Sequence, residues 1–376
     1  MNKKKKVLFI TNIPAPYRVD FYNELGKKVD LTVIFEAKGA SNQGIRFNWN
    51  LDSIQNFEAI FLSDGDIRER KIDFRIFKYL KKNRYDEIVA TNYSYFTEMV
   101  ALLYLKIMRI PYYMETDGGL IKPEENILKK LYKRFLVSGA KGYFSPSKES
   151  DSYLIYYGAK KNRIYRYPFT SIKDEDIIPE VLSNNEKKEY KNRLGMNESI
   201  IILGVGQFIY RKGWDILLEA ANLLPKNIGF YIVGSDATSE YLKKKSEYGL
   251  DNVHFSGFKT KTELEDYYRA ADIFVLPTRE DIWGLVVNEA ISFGLPVITT
   301  DKCNAGLELI AGNDCGAVIK ADDVNSLKES IESMVSMSPD RMLELRKNAL
   351  KVGRKYSIEE MAEIHKEIFS KMSKKT

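Results

Sequence analysis

Two successive series of short apolar runs, each followed by a turn and a helical pattern, constrain this chain more than any other feature. Such alternation folds into parallel sheets with helices on both faces. In the first half the runs are Lys6–Ile10, Leu31–Phe35, Glu87–Ala90, Pro111–Met114 and Gly142–Ser145. The second half restarts the pattern with Ile200–Val205, Gly229–Val233, Val253–Ser256, Ile273–Leu276 and Val297–Thr300. Between them, residues 172–195 are polar and charged with a single proline, and read as a linker carrying a short helix. The expected division is a first α/β domain over 1–175, a linker over 176–195 and a second α/β domain over 196–356. An amphipathic helix over 357–376, with Met361, Ile364, Ile368 and Phe369 on one face, returns to the first domain. Two such domains facing each other would form a ligand cleft.

A length of 376 residues suits two domains, and 44% hydrophobic with 29% charged residues describes a globular chain. Only Cys303 and Cys315 are present, which suits a reducing cytoplasm. The basic start leads into only four apolar residues, Val7 to Ile10, so no signal peptide is expected. The apolar stretch Met99–Met108 is interrupted by Lys106 and is too short to span a bilayer. A cytoplasmic protein, soluble or peripheral at the inner face of a membrane, is therefore expected, with no nucleic-acid partner.

The formal charge of +6 is uneven, with +8 on residues 1–180 and −2 on the remainder. The excess falls on two expected helices, 68–84 and 126–141. In the second, Ile127, Leu128, Leu131, Phe135 and Leu136 oppose Lys129, Lys130, Lys133 and Arg134. A basic amphipathic helix can dock on anionic lipid, although a solvated face of a packed helix gives the same pattern.

The segment Gly204–Gly213 ends a strand in glycines and presents Arg211 and Lys212 just before a helix. Glycines admit a ligand close to the backbone, and the paired cations suit a diphosphate. It is neither a Walker A loop, lacking Gly-Lys-Ser/Thr, nor a dinucleotide fingerprint, because Ile209 holds the third glycine position. Further on, Asp281 and Glu289 stand eight positions apart across a loop-to-helix junction, with Gly284 between them. Ionised carboxylates accept hydrogen bonds from a polyhydroxy ligand such as a sugar nucleotide.

Taken together, Gly206–Gly213 and Asp281–Glu289 resemble the second domain of the family 4, or group 1, retaining glycosyltransferases. That family carries Gly-x5-Lys-Gly followed by Glu-x7-Glu. Here the second motif reads DIWGLVVNE, so Asp281 replaces the first glutamate, with Glu280 beside it, while Gly284, Leu285, Glu289 and Gly294-Leu295-Pro296 match.

The resemblance implies a GT-B fold with two facing Rossmann-like domains and a metal-independent transferase using a nucleotide-diphosphate sugar. Arg211 and Lys212 would hold the donor diphosphate and Glu289 the ribose, while Gly206 and Gln207 line the donor. Asp281, with the backbone from Trp283 through Gly284 to Leu285, would address sugar and phosphate. Phe258 and Lys259 would sit by the base, though a core aromatic is the plainer reading of Phe258.

In the first domain, Asn12–Arg18 resembles the Pro-x-Pro-Tyr-Arg opening of transferases in surface-polysaccharide assembly, which puts Pro16, Tyr17 and Arg18 on the acceptor side. The run Glu115-Thr116-Asp117-Gly118 ends a strand where relatives place a histidine. Only His254 and His365 exist, both elsewhere, so Glu115 or Asp117 is expected to contact the transferred sugar, although a structural turn accounts for the run equally well. Asp64-Gly65-Asp66 has a metal-binding spacing but reads as a turn, and no metal site or cofactor beyond the donor is expected. A lipid-linked glycan is the implied acceptor. The competing readings are a GT-B sugar-nucleotide 2-epimerase and a non-catalytic sugar-nucleotide-binding subunit.

Overall fold

The computed structural model describes residues 4–42, 45–47, 51–67, 72–91, 93–121 and 124–372. It divides into two compact units, one running up to Ser171 and resuming at Ser357, the other Ile172–Tyr356.

The first unit is built on seven parallel strands: β1 Lys6–Thr11, β2 Asp30–Phe35, β3 Glu58–Phe61, β4 Glu87–Ala90, β5 Tyr113–Glu115, β6 Gly142–Ser145 and β7 Ile164–Arg166. Their spatial order is β3-β2-β1-β4-β5-β6-β7. A small antiparallel pair, Ala40–Asn42 with Ile45–Phe47, lies apart from this sheet. The helices are α1 Pro16–Lys28, α2 Phe96–Ile107, α3 Ile127–Val137 and α4 Lys148–Tyr156. Alternation along β1 feeds two cores. Leu8 and Ile10 join Ile34, Ile88, Leu102, Leu105 and Tyr157 on one face. Phe9 turns the other way, edge-on to Phe21 and Tyr22 of α1.

The second unit holds β8 Ile200–Val205, β9 Ile228–Val233, β10 Val253–Ser256, β11 Ile273–Leu276, β12 Val297–Thr300 and β13 Gly316–Ile319. Their order, β10-β9-β8-β11-β12-β13, repeats that of the first sheet. Its helices are α5 Asn184–Arg193, α6 Trp214–Asn222, α7 Ser239–Glu247, α8 Lys261–Ala270, α9 Leu285–Ser292, α10 Val324–Val335 and α11 Pro339–Gly353. The last helix, α12 Ile358–Met372, joins the first unit, where it neighbours α1 and buries Met361, Ala362, His365, Ile368 and Phe369.

Three sequence expectations need correction. Residues 176–195 are not a linker but part of the second unit. There α5 starts at a capping box of Ser183 and Glu186 and anchors on the sheet. The anticipated helix over 68–84 is only a short 3₁₀ turn, Phe74–Lys78, capped by Asp73; residues 68–71 lie outside the described set. The helix expected over 126–141 ends at Val137.

The α5 anchor is ionic. Lys187 is buried and pairs with Asp272, which also accepts from Lys191 Nζ at 2.7 Å and from the Ile201 N–H at 2.9 Å. Burial pushes the Lys187 ammonium down to about 8 despite Asp272. Burial also opposes the Asp272 charge, but the two lysines outweigh it and hold this carboxyl below the usual range. Asp272→Ala strands a buried cation and should lower the unfolding free energy by about 3 kcal/mol in urea melts. A loss no larger than that of an exposed aspartate would show that α5 docks without this pair.

Candidate active site

The cationic turn of the second unit follows β8, the central strand of its sheet. Gly213 adopts φ +72°, and a Cβ there would lie 2.0 Å from the Pro277 carbonyl oxygen, so the turn can press against the end of β11 only with glycine. The Arg211 carbonyl accepts from the Arg279 N–H at 2.8 Å and the Thr278 hydroxyl at 2.9 Å, which fastens the two loops together. Arg279 strengthens the join: its guanidinium donates to both Asp215 oxygens and to the Tyr210 carbonyl, and stacks on the Tyr210 ring at 3.8 Å. Nothing in the sequence pattern pairs Arg279 with Asp215, which lies 64 positions away.

This geometry brings Arg211, Lys212, Glu280 and Asp281 together. Lys212 Nζ lies 2.5 Å from Asp281 Oδ2, and Arg211 reaches Asp281 Oδ1 at 3.3 Å and the Glu280 carbonyl at 2.7 Å. Arg211 is 44% exposed, whereas Lys212 and Asp281 are largely covered. Asp281 is itself fixed through its N–H to the Lys302 carbonyl at 2.8 Å. Gly206, at φ +153°, leaves room for the Lys212 stem, and the Gln207 carbonyl receives the Trp214 indole N–H at 2.9 Å. Three residues after Asp281, α9 opens on Gly284 at φ +106°, with no side chain capping its first turn and Leu285 as its first residue. Backbone N–H groups at such a helix start suit a phosphate.

The Trp283 side chain is buried and donates to Asn288 Oδ1 at 2.7 Å, which leaves its backbone, the part the resemblance assigned to the ligand. Glu289 is partly buried and accepts from the Tyr268 hydroxyl at 2.7 Å. Phe258 is 83% exposed, which overturns the core reading of this ring, and Lys259 beside it is partly exposed. Both follow β10.

In the first unit Pro16 occupies the first helical position of α1, where its missing N–H costs nothing, and turns Tyr17 and Arg18 toward the end of β5. Arg18 is buried and donates to both Asp117 oxygens, at 2.6 and 2.5 Å, and to Glu115 at 3.5 Å. The Tyr17 hydroxyl reaches Asp117 at 3.4 Å. Burial, with Asp117 adding to it, pushes the Tyr17 phenol up to about 12, and burial lifts the Asp117 carboxyl despite Arg18. Gly118, buried at φ +146°, closes the turn through a 3.2 Å bond to the Thr116 hydroxyl.

Glu115 departs from the expected sugar contact, because its fully buried carboxylate is occupied by Arg18 and by His365, whose Nε2 lies 3.0 Å away. His365 comes from α12 and stacks on Phe144 at 4.4 Å. Its Nδ1 faces the Met361 carbonyl at 2.7 Å, which can only accept, so that nitrogen carries a proton. The result is a buried row, Asp117, Arg18, Glu115 and His365, open to solvent at the Asp117 end, whose side chain keeps 29% exposure. A histidine does reach this cluster, by tertiary packing 250 positions away in the chain.

Beside this row, Glu36 directly follows β2 and accepts the Glu98 N–H at 3.0 Å. Both Glu98 carboxylate oxygens are buried without a hydrogen-bond partner among the described residues. Burial pushes Glu36 up to about 7, and burial together with Glu36 raises Glu98 well above its ordinary value. Asp64 pairs with Lys38 in an exposed loop, and among the described residues no group of acids, histidines and cysteines is placed to hold a metal ion.

Two measurements follow from these buried charges. His365→Ala should cost about 3 kcal/mol of stability by leaving buried Glu115 with Arg18 alone, and a double-mutant cycle with Glu115→Gln should return a coupling of about 1 kcal/mol or more; additive losses would dissolve the pair. A raised carboxyl favours the folded state below its unfolded value near 4.5, and that contribution is lost as pH climbs through about 7. Wild type should therefore lose roughly 2–3 kcal/mol between pH 5 and 8 relative to Glu36→Gln. Parallel pH curves for the two proteins would show Glu36 titrating normally.

Residues 186–355 match the family model for glycosyl transferases group 1. The chain is 32% identical over 165 residues to the lipopolysaccharide glucosyltransferase WaaG of Escherichia coli, covering 42% of this chain and 43% of that protein. It is 31% identical over 191 residues to the lipopolysaccharide core biosynthesis mannosyltransferase LpsB of Rhizobium meliloti, covering 47% and 53%. The chain thus spans about half the length of the curated relatives it matches. In structure it superposes on Anabaena Alr3699/HepE, solved in complex with UDP, with a TM-score of 0.75 over 98% of this chain and all of that one, at 17% identity. The fold is GT-B, and the stretch that matches the group 1 glycosyl transferase model, residues 186–355, is the one that carries the Arg211, Lys212 and Asp281 cluster.

Proposed function

We propose that this chain moves a sugar from a nucleotide-diphosphate sugar to a hydroxyl of a growing, lipid-linked cell-surface glycan, with retention at the anomeric carbon and without a metal ion. The observation that carries the reading is the pair of cations held by Asp281 beside the open start of α9. The barrier is departure of a diphosphate from an anomeric carbon, so negative charge grows on the leaving oxygens. Arg211, Lys212 and the α9 N–H groups meet that charge where it develops. The acceptor oxygen bonds to the anomeric carbon on the face the phosphate leaves, and its proton passes to the departing phosphate oxygen.

Glu289, steadied by Tyr268, accepts hydrogen bonds from the ribose hydroxyls, and the exposed Phe258 ring covers the base. Asp281 orients Lys212, a task for which its shorter side chain suffices. In the first unit Tyr17 and the open end of Asp117 serve the acceptor side, with Arg18 and Glu115 holding them in place. The reading draws support from the lipopolysaccharide relatives and from the UDP complex of the Anabaena structure. We place the enzyme in the cytoplasm, at the inner face of the membrane that holds its acceptor.

Thermal shift with UDP-, GDP- and dTDP-sugars identifies the donor, since a ligand bound to the native state raises its melting point. With that donor, Arg211→Ala and Lys212→Ala should each lower turnover by ~100-fold or more while the protein stays folded, and a chelator should leave wild-type turnover unchanged. Fully active variants would remove the cations from the mechanism. Conversion of labelled donor without acceptor would replace transfer by epimerisation.

A further inference from the structure

Helix α3, ILKKLYKRFLV, buries only Leu136 and Val137 at its end. Ile127 and Leu128 are 74% and 76% exposed, and Leu131, Tyr132 and Phe135 are about half exposed or more. At helical spacing these five fall on one stripe. The surface continues onto α2, where the Tyr132 hydroxyl contacts Met99 Sδ at 2.7 Å and the Lys106 ammonium lies 4.6 Å from the centre of the Phe135 ring. Leu103, Ile107 and Met108 of that neighbouring segment are exposed as well. Single exposed apolar residues are ordinary; a contiguous set on two adjacent helices signals a binding face.

The charges around the stripe have one sign. Between 127 and 137 there are four cations and no acid. Lys129 and Arg134 border the stripe on its two sides, and Lys106 lies beside it. A second copy meeting this face would oppose cation to cation, whereas anionic headgroups meet the exposed Lys129 and Arg134 while the rings and branched chains enter the acyl boundary, Lys133 being already paired with Glu125. Long lysine and arginine stems suit that depth, reaching back to the headgroups. No helix among the described residues is long and apolar enough to cross a membrane, so contact through α3 is from one side.

We infer that α3, with the adjoining edge of α2, is the face by which this chain docks on an anionic lipid bilayer. The inference is independent of the reaction proposed above, since none of these residues belongs to either charged cluster. Flotation of the full chain with vesicles of phosphatidylcholine alone, or of equal parts phosphatidylcholine and phosphatidylglycerol, tests it. Wild type should float with the anionic vesicles and lose part of that binding at high salt. The triple variant Leu128→Ser, Leu131→Ser, Phe135→Ser should bind roughly tenfold less or weaker. These side chains are exposed, so its melting temperature and circular dichroism should match wild type. Lys129→Glu with Arg134→Glu should abolish the preference for anionic vesicles. Wild type that fails to float, or a triple variant that floats as well as wild type, overturns the inference. A wild-type dimer that the triple variant dissociates, without vesicle binding, would assign the face to a second copy instead.

Discussion

Parallel pairing forces every strand to be followed by a crossover, so all carboxyl ends of a sheet collect on one edge. Everything chemically distinctive in this chain follows from that constraint. In the first unit the edge gathers the turn after β1 with Tyr17 and Arg18, the end of β2 with Glu36, and the end of β5 with Glu115 and Asp117. In the second it gathers Arg211 and Lys212 after β8, Phe258 after β10, and Glu280 and Asp281 after β11. Both sheets reverse their winding between the first strand and the fourth. In the second unit that reversal falls between β8 and β11, the two strands whose loops carry the cations and their carboxylate.

The two charged clusters use the same physics differently. Asp281 and Lys212 form a short pair at a partly open site whose Arg211 arm remains exposed, an arrangement with charge to spare for a ligand. The row from Asp117 to His365 is closed at one end by aromatic rings, and in it Arg18 lies between the Asp117 and Glu115 carboxylates. Taking such charges out of water is tolerable only when each is answered by the next, so the row behaves as one object. Its rigidity reaches the surface only at Asp117 and Tyr17.

All ten apolar runs in the sequence became strands; nine are central strands, covered on both faces as their composition shows, and the tenth, β10, is an edge strand. The strands that escaped notice, β3, β7 and β13, are edge strands with half-buried side chains, where a weaker apolar signal is the physical expectation. The basic stretch near Arg75 looked helical by composition, yet among the described residues Asp73 caps only the short turn Phe74–Lys78, and Asn83 follows at φ +63°. The motif carrying Asp281 and Gly284 was legible because its meaning is local. His365 was not, since its face on α12 looked like one more apolar stripe and its partner Glu115 is fixed by packing alone.

The first unit is discontinuous in the chain, resuming at Ser357 only after the whole second unit has been threaded. During synthesis Phe9, Phe21 and Phe144 thus wait for α12 to cover them, and Glu115 waits for its proton-bearing partner. A ribosome stopped anywhere before residue 365 leaves an aromatic trench open and a carboxylate half answered, however well the second unit has formed. Helix α12 thereby couples the order of the Arg18 cluster to synthesis of the chain through residue 365.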